Sequence, residues 1–104
     1  MNVIFFNPKI RDNLFSLEKP SSTKSSKQIK LLETFGNRLG MPYSKQISRN
    51  LFELRVRGKQ EIRIFYCFHQ NQAVILHFFI KKSQKIPKKE IEIALTRITI
   101  LTGV

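Results

Sequence analysis

One cysteine, no tryptophan, four glycines and seven acidic residues in 104 positions leave this sequence without the means that several protein classes need. With Cys67 alone, no disulfide framework can staple the chain, and no zinc or iron–sulfur site can be assembled from several thiolates. A reducing, cytoplasmic setting is the corresponding expectation. The seven Asp and Glu form no obvious pair, so the acidic cluster of a Mg²⁺-dependent nuclease is missing. No Gly-rich phosphate loop and no metal-ligand spacing occurs, so neither a cofactor nor a metal is expected. The longest apolar run, Ile64 to Phe68, falls far short of the roughly 20 residues that span a bilayer. Met1 to Asn7 lack the basic start and apolar stretch of a signal peptide. The expectation is a chain that neither spans a membrane nor is secreted.

What is abundant is positive charge. Nineteen Lys+Arg against seven Asp+Glu give a formal net charge of +12, and residues 1–52 and 53–104 each carry +6 of it. A disordered basic tail would be poor in aromatics, whereas this chain has nine phenylalanines, which places the charge on a folded body. A chain of this length buries roughly two-thirds of its unfolded surface, enough for one core of packed layers and one domain, residues 1–104. Such a body attracts polyanions. Nucleic acid or the ribosome ranks first, an acidic protein second, and an anionic membrane third for want of a basic amphipathic helix.

Periodicity supplies the architecture. Val3 to Phe6 read as a short strand, and Asn7-Pro8 as a helix cap with proline at the first helical position. Ile10, Leu14 and Leu17 predict a helix closed by Pro20, and Ser21 to Ser26 a polar connector. Ile29, Leu32, Phe35 and Leu39 predict a second helix ended by Gly40 and Pro42. The period then changes to two. Phe52 to Val56 and Ile62 to Phe68 alternate around a turn at Gly58-Lys59-Gln60, and Ala73 to Ile80 follow after the polar break His69 to Gln72. Pro87 opens a last helix with Ile91, Ala94, Leu95 and Ile98 at helical spacing and Glu90 in its first turn. The expected class is α+β: strand, helix, helix, three antiparallel strands, helix.

Two constellations carry chemistry. In Glu53-Leu54-Arg55-Val56-Arg57, alternation puts Arg55 and Arg57 on one face, which Arg63 reaches across the hairpin. Clustered arginines repel one another. Either an anion is expected there, since guanidinium forks match phosphate oxygens, or the face is merely solvated, with Glu53 and Glu61 as counter-ions. The run Lys81-Lys82-Ser83-Gln84-Lys85-Ile86-Pro87-Lys88-Lys89 holds five lysines and no acid. Alternation over Ile75, His77, Phe79 and Lys81 would end the strand with Lys81 beside the arginines, while Lys88 and Lys89 oppose the helix dipole, which favours a polyanion site. Arg57, Lys59, Lys85, Lys88 and Lys89 are accordingly read as RNA or ribosome contacts. His69 and His77 evoke a two-histidine nuclease, but one falls in a turn and one mid-strand, so His77 reads as packed or hydrogen-bonded. Cys67 reads as a small core residue.

Four ordered blocks, Leu51 to Arg55, Ile62 to Tyr66, Leu76 to Lys82 and Ile86 to Ala94, resemble the HigB-type, phage-related branch of the RelE/ParE toxin superfamily. The likeness covers the second half of the chain; the first half resembles the family only in its helices. Ile86 departs from the family, which commonly has a threonine there able to cap the last helix. The resemblance implies the compact RelE-like fold and the toxin of a type II toxin–antitoxin system. It implies a ribosome-dependent endoribonuclease that cuts messenger RNA by metal-independent 2′-hydroxyl attack, held in check by a cognate antitoxin, often of helix-turn-helix type. On that reading Arg55 and Arg63 stabilise phosphate, Lys81 or Lys82 moves a proton, and Tyr66 stacks or hydrogen-bonds. The alternatives are a ParE-like inhibitor of DNA gyrase and a nucleic-acid-binding module without catalysis. Arg63→Ala is expected to abolish toxicity with the fold intact, because a residue on a polar strand face rarely contributes more than about 1 kcal/mol.

Overall fold

A computed structural model describes residues 1–104. The chain runs β1 (Asn2–Phe5), α1 (Pro8–Phe15), α2 (Ser21–Phe35), a 3-10 turn (Gly36–Arg38), β2 (Ser44–Ser48), β3 (Leu51–Val56), β4 (Ile62–His69), β5 (Gln72–Ile80) and α3 (Lys88–Thr102). The five strands form one sheet in the order β1-β5-β4-β3-β2. β1 runs parallel to β5, while β2 to β5 are antiparallel neighbours. This is the expected α+β domain with a four-stranded rather than three-stranded antiparallel part. The additional strand is β2, whose sequence Ser-Lys-Gln-Ile-Ser has no alternation to announce it, because as an edge strand it buries only Ser44.

The start of α1 is as the sequence predicts, with Pro8 at the first position and the Asn7 side chain accepting from the Ile10 N–H at 2.9 Å. Ser21 to Ser26 are helix, not connector. Ser21 and Ser25 are buried in line with Ile29 and Leu32, one face of a single helix. Their hydroxyls are satisfied there: Ser25 donates to the Ser21 carbonyl at 2.9 Å, and Ser21 to Gln60 Oε1 at 2.8 Å. Small size and satisfied polarity let serine do the work of an apolar residue. The helix also stops earlier than its stripe suggests, at Gly36, whose φ of 55° suits glycine. Phe35 is left exposed, while Leu39 still packs on the core from the following turn.

Both faces of the sheet are used. α1 and α2 lay Ile10, Leu14, Ile29 and Leu32 on Leu54, Ile64 and their neighbours. α3 covers Phe65, Cys67, Val74 and Leu76 on the other face with Ile91, Ala94, Ile98 and Leu101. Leu95, expected on that stripe, faces outward at 42% exposure. Pro87 stands just before the helix rather than within it. A register shift opposite Phe65 and Tyr66 makes Leu76 an extra residue, so Ile75 joins the α1–α2 core while Leu76 turns to α3. The alternation expected to carry Ile75 onto the face of His77 is thereby broken. α3 leaves one corner of its face bare, where β3 ends and β4 begins.

Candidate functional site

That corner is built by two short repeats of one pattern. β3 carries Glu53-Leu54-Arg55, β4 opens with Ile62-Arg63 directly after Glu61, and the register sets Arg55 directly opposite Arg63. Like charges face each other across the strands, a destabilising arrangement by itself. The two glutamates resolve it. Glu53, almost fully buried, holds Arg55 Nε at 3.1 Å on one oxygen and Arg63 Nε at 3.5 Å on the other. Glu61 holds Arg63 Nη2 at 3.2 Å and Arg57 Nη1 at 3.3 Å. Arg63 also donates to the Ile62 carbonyl at 3.2 Å, and its Nε has no aligned hydrogen-bond acceptor. Arg63 is 3% exposed. Its guanidinium is therefore fixed in direction before any ligand arrives.

Across from the arginines comes the end of β5. The Lys81 N–H donates to the Glu61 carbonyl at 2.7 Å, tying the lysine run to the arginine hairpin. Together Arg55, Arg57, Arg63, Lys81 and Lys82 line an open cleft of about 510 Å³, with Glu61, Ser83 and Gln84 completing the wall and no hydrophobic residue in it. Five cations thus face one lining carboxylate. Burial would raise the Glu61 pKa, but the Gly58 N–H and the Arg63 and Arg57 guanidiniums outweigh it and hold the carboxyl below its ordinary range. A cleft of this kind is fitted to an anion with several oxygens to share, a phosphodiester above all.

The structure brings together Arg55, Arg57, Arg63, Lys81 and Lys82 and leaves the other sequence candidates outside. Lys59 lines a separate hollow beside Lys19, and Lys85, Lys88 and Lys89 are exposed beyond the wall. Tyr66 lies on the opposite side of the sheet. Its ring stacks on Phe52 with centroids 5.3 Å apart, and its hydroxyl shares a hydrogen bond with Ser44. Burial raises its pKa, a shift the Ser44 bond only partly offsets. Tyr66 is removed from the cleft by the two-residue period that places it beside Ile64 rather than Arg63. His77 is hydrogen-bonded to Glu90 at 3.1 Å and stacks on Phe79, and His69 closes β4 far along the strand. Cys67 is fully buried and its thiol is pushed up to about 11 by that burial.

The solvated reading of this face makes Glu53 and Glu61 no more than its counter-ions. They are instead the frame of the site, and the signal was present as Glu-x-Arg repeated on both sides of one turn. Ser83 and Gln84 gave no signal beyond their place in the lysine run. No three His, Cys, Asp or Glu side chains are grouped as a metal site requires, and no helix is long and apolar enough to cross a membrane.

Residues 12–99 match the family described as phage derived protein Gp49-like (DUF891). No curated protein matches the chain.

Proposed function

We propose that this chain, which belongs to the Gp49-like family of phage-derived proteins, is the toxin of a type II toxin–antitoxin pair and cuts messenger RNA on the ribosome. Gp49-like proteins are a RelE-like toxin family, and on this reading the chain is of the HigB-type branch, has the RelE-like topology and is a ribonuclease. The observation that carries it is the cleft itself: Arg63, oriented by the buried Glu53 and by Glu61, opposite Arg55 and beside Lys81 and Lys82. Binding alone needs cations, but not cations locked in direction. Locked donors are what a reacting phosphate rewards, because they lose nothing by reorganising as charge accumulates on phosphorus.

The reaction consistent with this wall is internal transesterification. The 2′-oxygen bonds to the adjacent phosphorus and the 5′-oxygen departs, giving a 2′,3′-cyclic phosphate and a 5′-hydroxyl. Arg63 and Arg55 stabilise the pentavalent phosphorus. Lys81 or Lys82 moves the proton between the 2′-hydroxyl and the leaving oxygen. The cleft holds no histidine to serve as a general base, so the message must be bent into line by something else, a service the ribosome provides. An adjacent antitoxin gene, a cytoplasmic location and a ribosomal partner complete the reading.

Primer extension on messages from cells expressing the protein tests it. Discrete breaks inside translated codons are expected; intact messages, with gyrase-dependent DNA breaks or with neither, would overturn the nuclease. A second measurement checks the exclusion of Tyr66. Tyr66→Phe is expected to leave the breaks unchanged while lowering stability by about 1–2 kcal/mol, since Ser44 loses its buried partner. Loss of cleavage in a stable Tyr66→Phe protein would return the tyrosine to the site.

A further inference from the structure

The arginines of the cleft have carboxylates; the lysines of α2 do not. Lys24, Lys27 and Lys30 precede the first acid of that helix, Glu33. None of the three makes an ion pair, all the pairs of the chain lying elsewhere. Like charges at spacings of three oppose helix formation, and here nothing within the chain compensates them.

Their position is informative. Lys24 and Lys27 border a small hollow of about 110 Å³ together with Arg57, and Arg57 also lines the arginine cleft. Lys27 and Lys30 then border a groove of about 360 Å³ along α2, with Ser22, Thr23, Ser26 and the half-exposed ring of Phe15. The three hollows share walls, Arg57 between the first and second and Lys27 between the second and third. Gly58 makes the joint. Its φ is not left-handed, so the turn does not require glycine. What it leaves is room, because a Cβ there would stand 2.7 Å from Lys24 Nζ. The Lys24 ammonium therefore lies against the turn that presents Arg57.

We propose that Lys24, Lys27 and Lys30 form a second binding segment for the RNA strand whose reacting phosphate occupies the cleft. The strand leaves the cleft past Arg57 and runs along α2. This inference rests on the cleft being an RNA site. A polyanion already held at Arg57 brings its next phosphates to Lys24 and Lys27, and hydroxyls at Ser22, Thr23 and Ser26 supply neutral donors beyond them. The exposed face of Phe15 offers a base somewhere to stack. An acidic protein segment would want several apolar anchors, and the groove has Phe15 alone. Exposed lysines with no partner to orient them neutralise phosphates without fixing a base edge, so the segment adds affinity with little sequence preference.

Uncleavable 2′-O-methyl uridine oligonucleotides of about 4 and about 12 nucleotides, titrated into the full chain by fluorescence anisotropy, test this. The wild type is expected to bind the longer strand about tenfold more tightly than the shorter. The double variant Lys24→Gln, Lys27→Gln is expected to bind the short strand as the wild type does and to lose the length advantage, its salt slope falling by about 1.4. Gly58→Ala, which displaces the Lys24 ammonium without changing a charge, is expected to lose a smaller part. A length advantage absent from the wild type, or intact in the double variant, would overturn the track and leave the cleft standing. Failure of both strands to bind the wild type would remove the cleft reading and the track with it. Displacement of the lysines' ligand by oligoglutamate, with no dependence on RNA length, would overturn the track in favour of an acidic protein.

Discussion

Arg63→Lys is expected to cut messenger RNA about 100-fold more slowly than the wild type while remaining folded. Lysine keeps a positive charge against the buried Glu53, so the ion pair survives in kind. What it loses is the second donor and the fixed plane, and with them the two-point hold on phosphate oxygens that the proposed reaction needs. Losing one preorganised donor to a charge that develops in the transition state costs about 10²- to 10³-fold. Primer extension at matched expression, with a thermal melt of the purified variant, reads both halves of the expectation. Undiminished cleavage would show that the guanidinium does not touch the reacting phosphate. The variant suggested by sequence alone, Arg63→Ala, is a poor test. Arg63 is buried and bonded to two glutamates, so its removal strips Glu53 of one partner and is expected to cost about 3 kcal/mol, well above the 1 kcal/mol of an exposed strand residue. Lost toxicity in that variant would report unfolding as readily as lost chemistry.

The second large effect belongs to Glu53. Glu53→Gln is expected to destabilise the chain by about 3–4 kcal/mol, because two guanidiniums opposite each other lose the charge that lets them share the site. Urea denaturation followed by circular dichroism measures it. The double variant Glu53→Gln, Arg63→Gln should recover part of the loss, since it removes a charge of each sign, and this non-additivity distinguishes the ion pair from simple packing. A Glu53→Gln midpoint equal to that of the wild type would mean that water serves the arginines and that the cleft is not preorganised.

These expectations also show where sequence reasoning reaches and stops. The order of the main elements was legible because Leu54, Val56, Ile62 and Ile64 alternate, and because Asn7-Pro8 and Pro87 mark helix starts by local rules that packing does not override. The cationic face was legible from the same alternation. The start of α2 was not, since its buried positions are serines that look like a connector until Ser25 is seen to bond to Ser21. β2 was hidden because an edge strand needs few apolar residues. Tyr66 was misplaced for a different reason: the resemblance supplied a role, while the period of two already assigned its side chain to the face away from Arg63. The burial of Arg63 could not be read at all, because it depends on Glu53 of β3 and Glu61, just before β4, closing over it.

One feature of the sheet also governs when the cleft is assembled. All the side chains that line the cleft lie between Arg55 and Gln84, on consecutive antiparallel strands and the segment just beyond them, whereas β1 waits for a partner far along the chain, Asn2 pairing with Gln72. Contacts between neighbours in sequence close cheaply, and contacts between distant segments come late. During vectorial synthesis, α1 and α2 therefore leave the ribosome with no sheet to cover, and they dock only once β3 to β5 have followed. A chain cut short before β5 lacks at once the seat of β1 and the lysine side of the cleft. The cleft is thus complete only once β5 and the segment after it have been made, and a fragment released earlier lacks it.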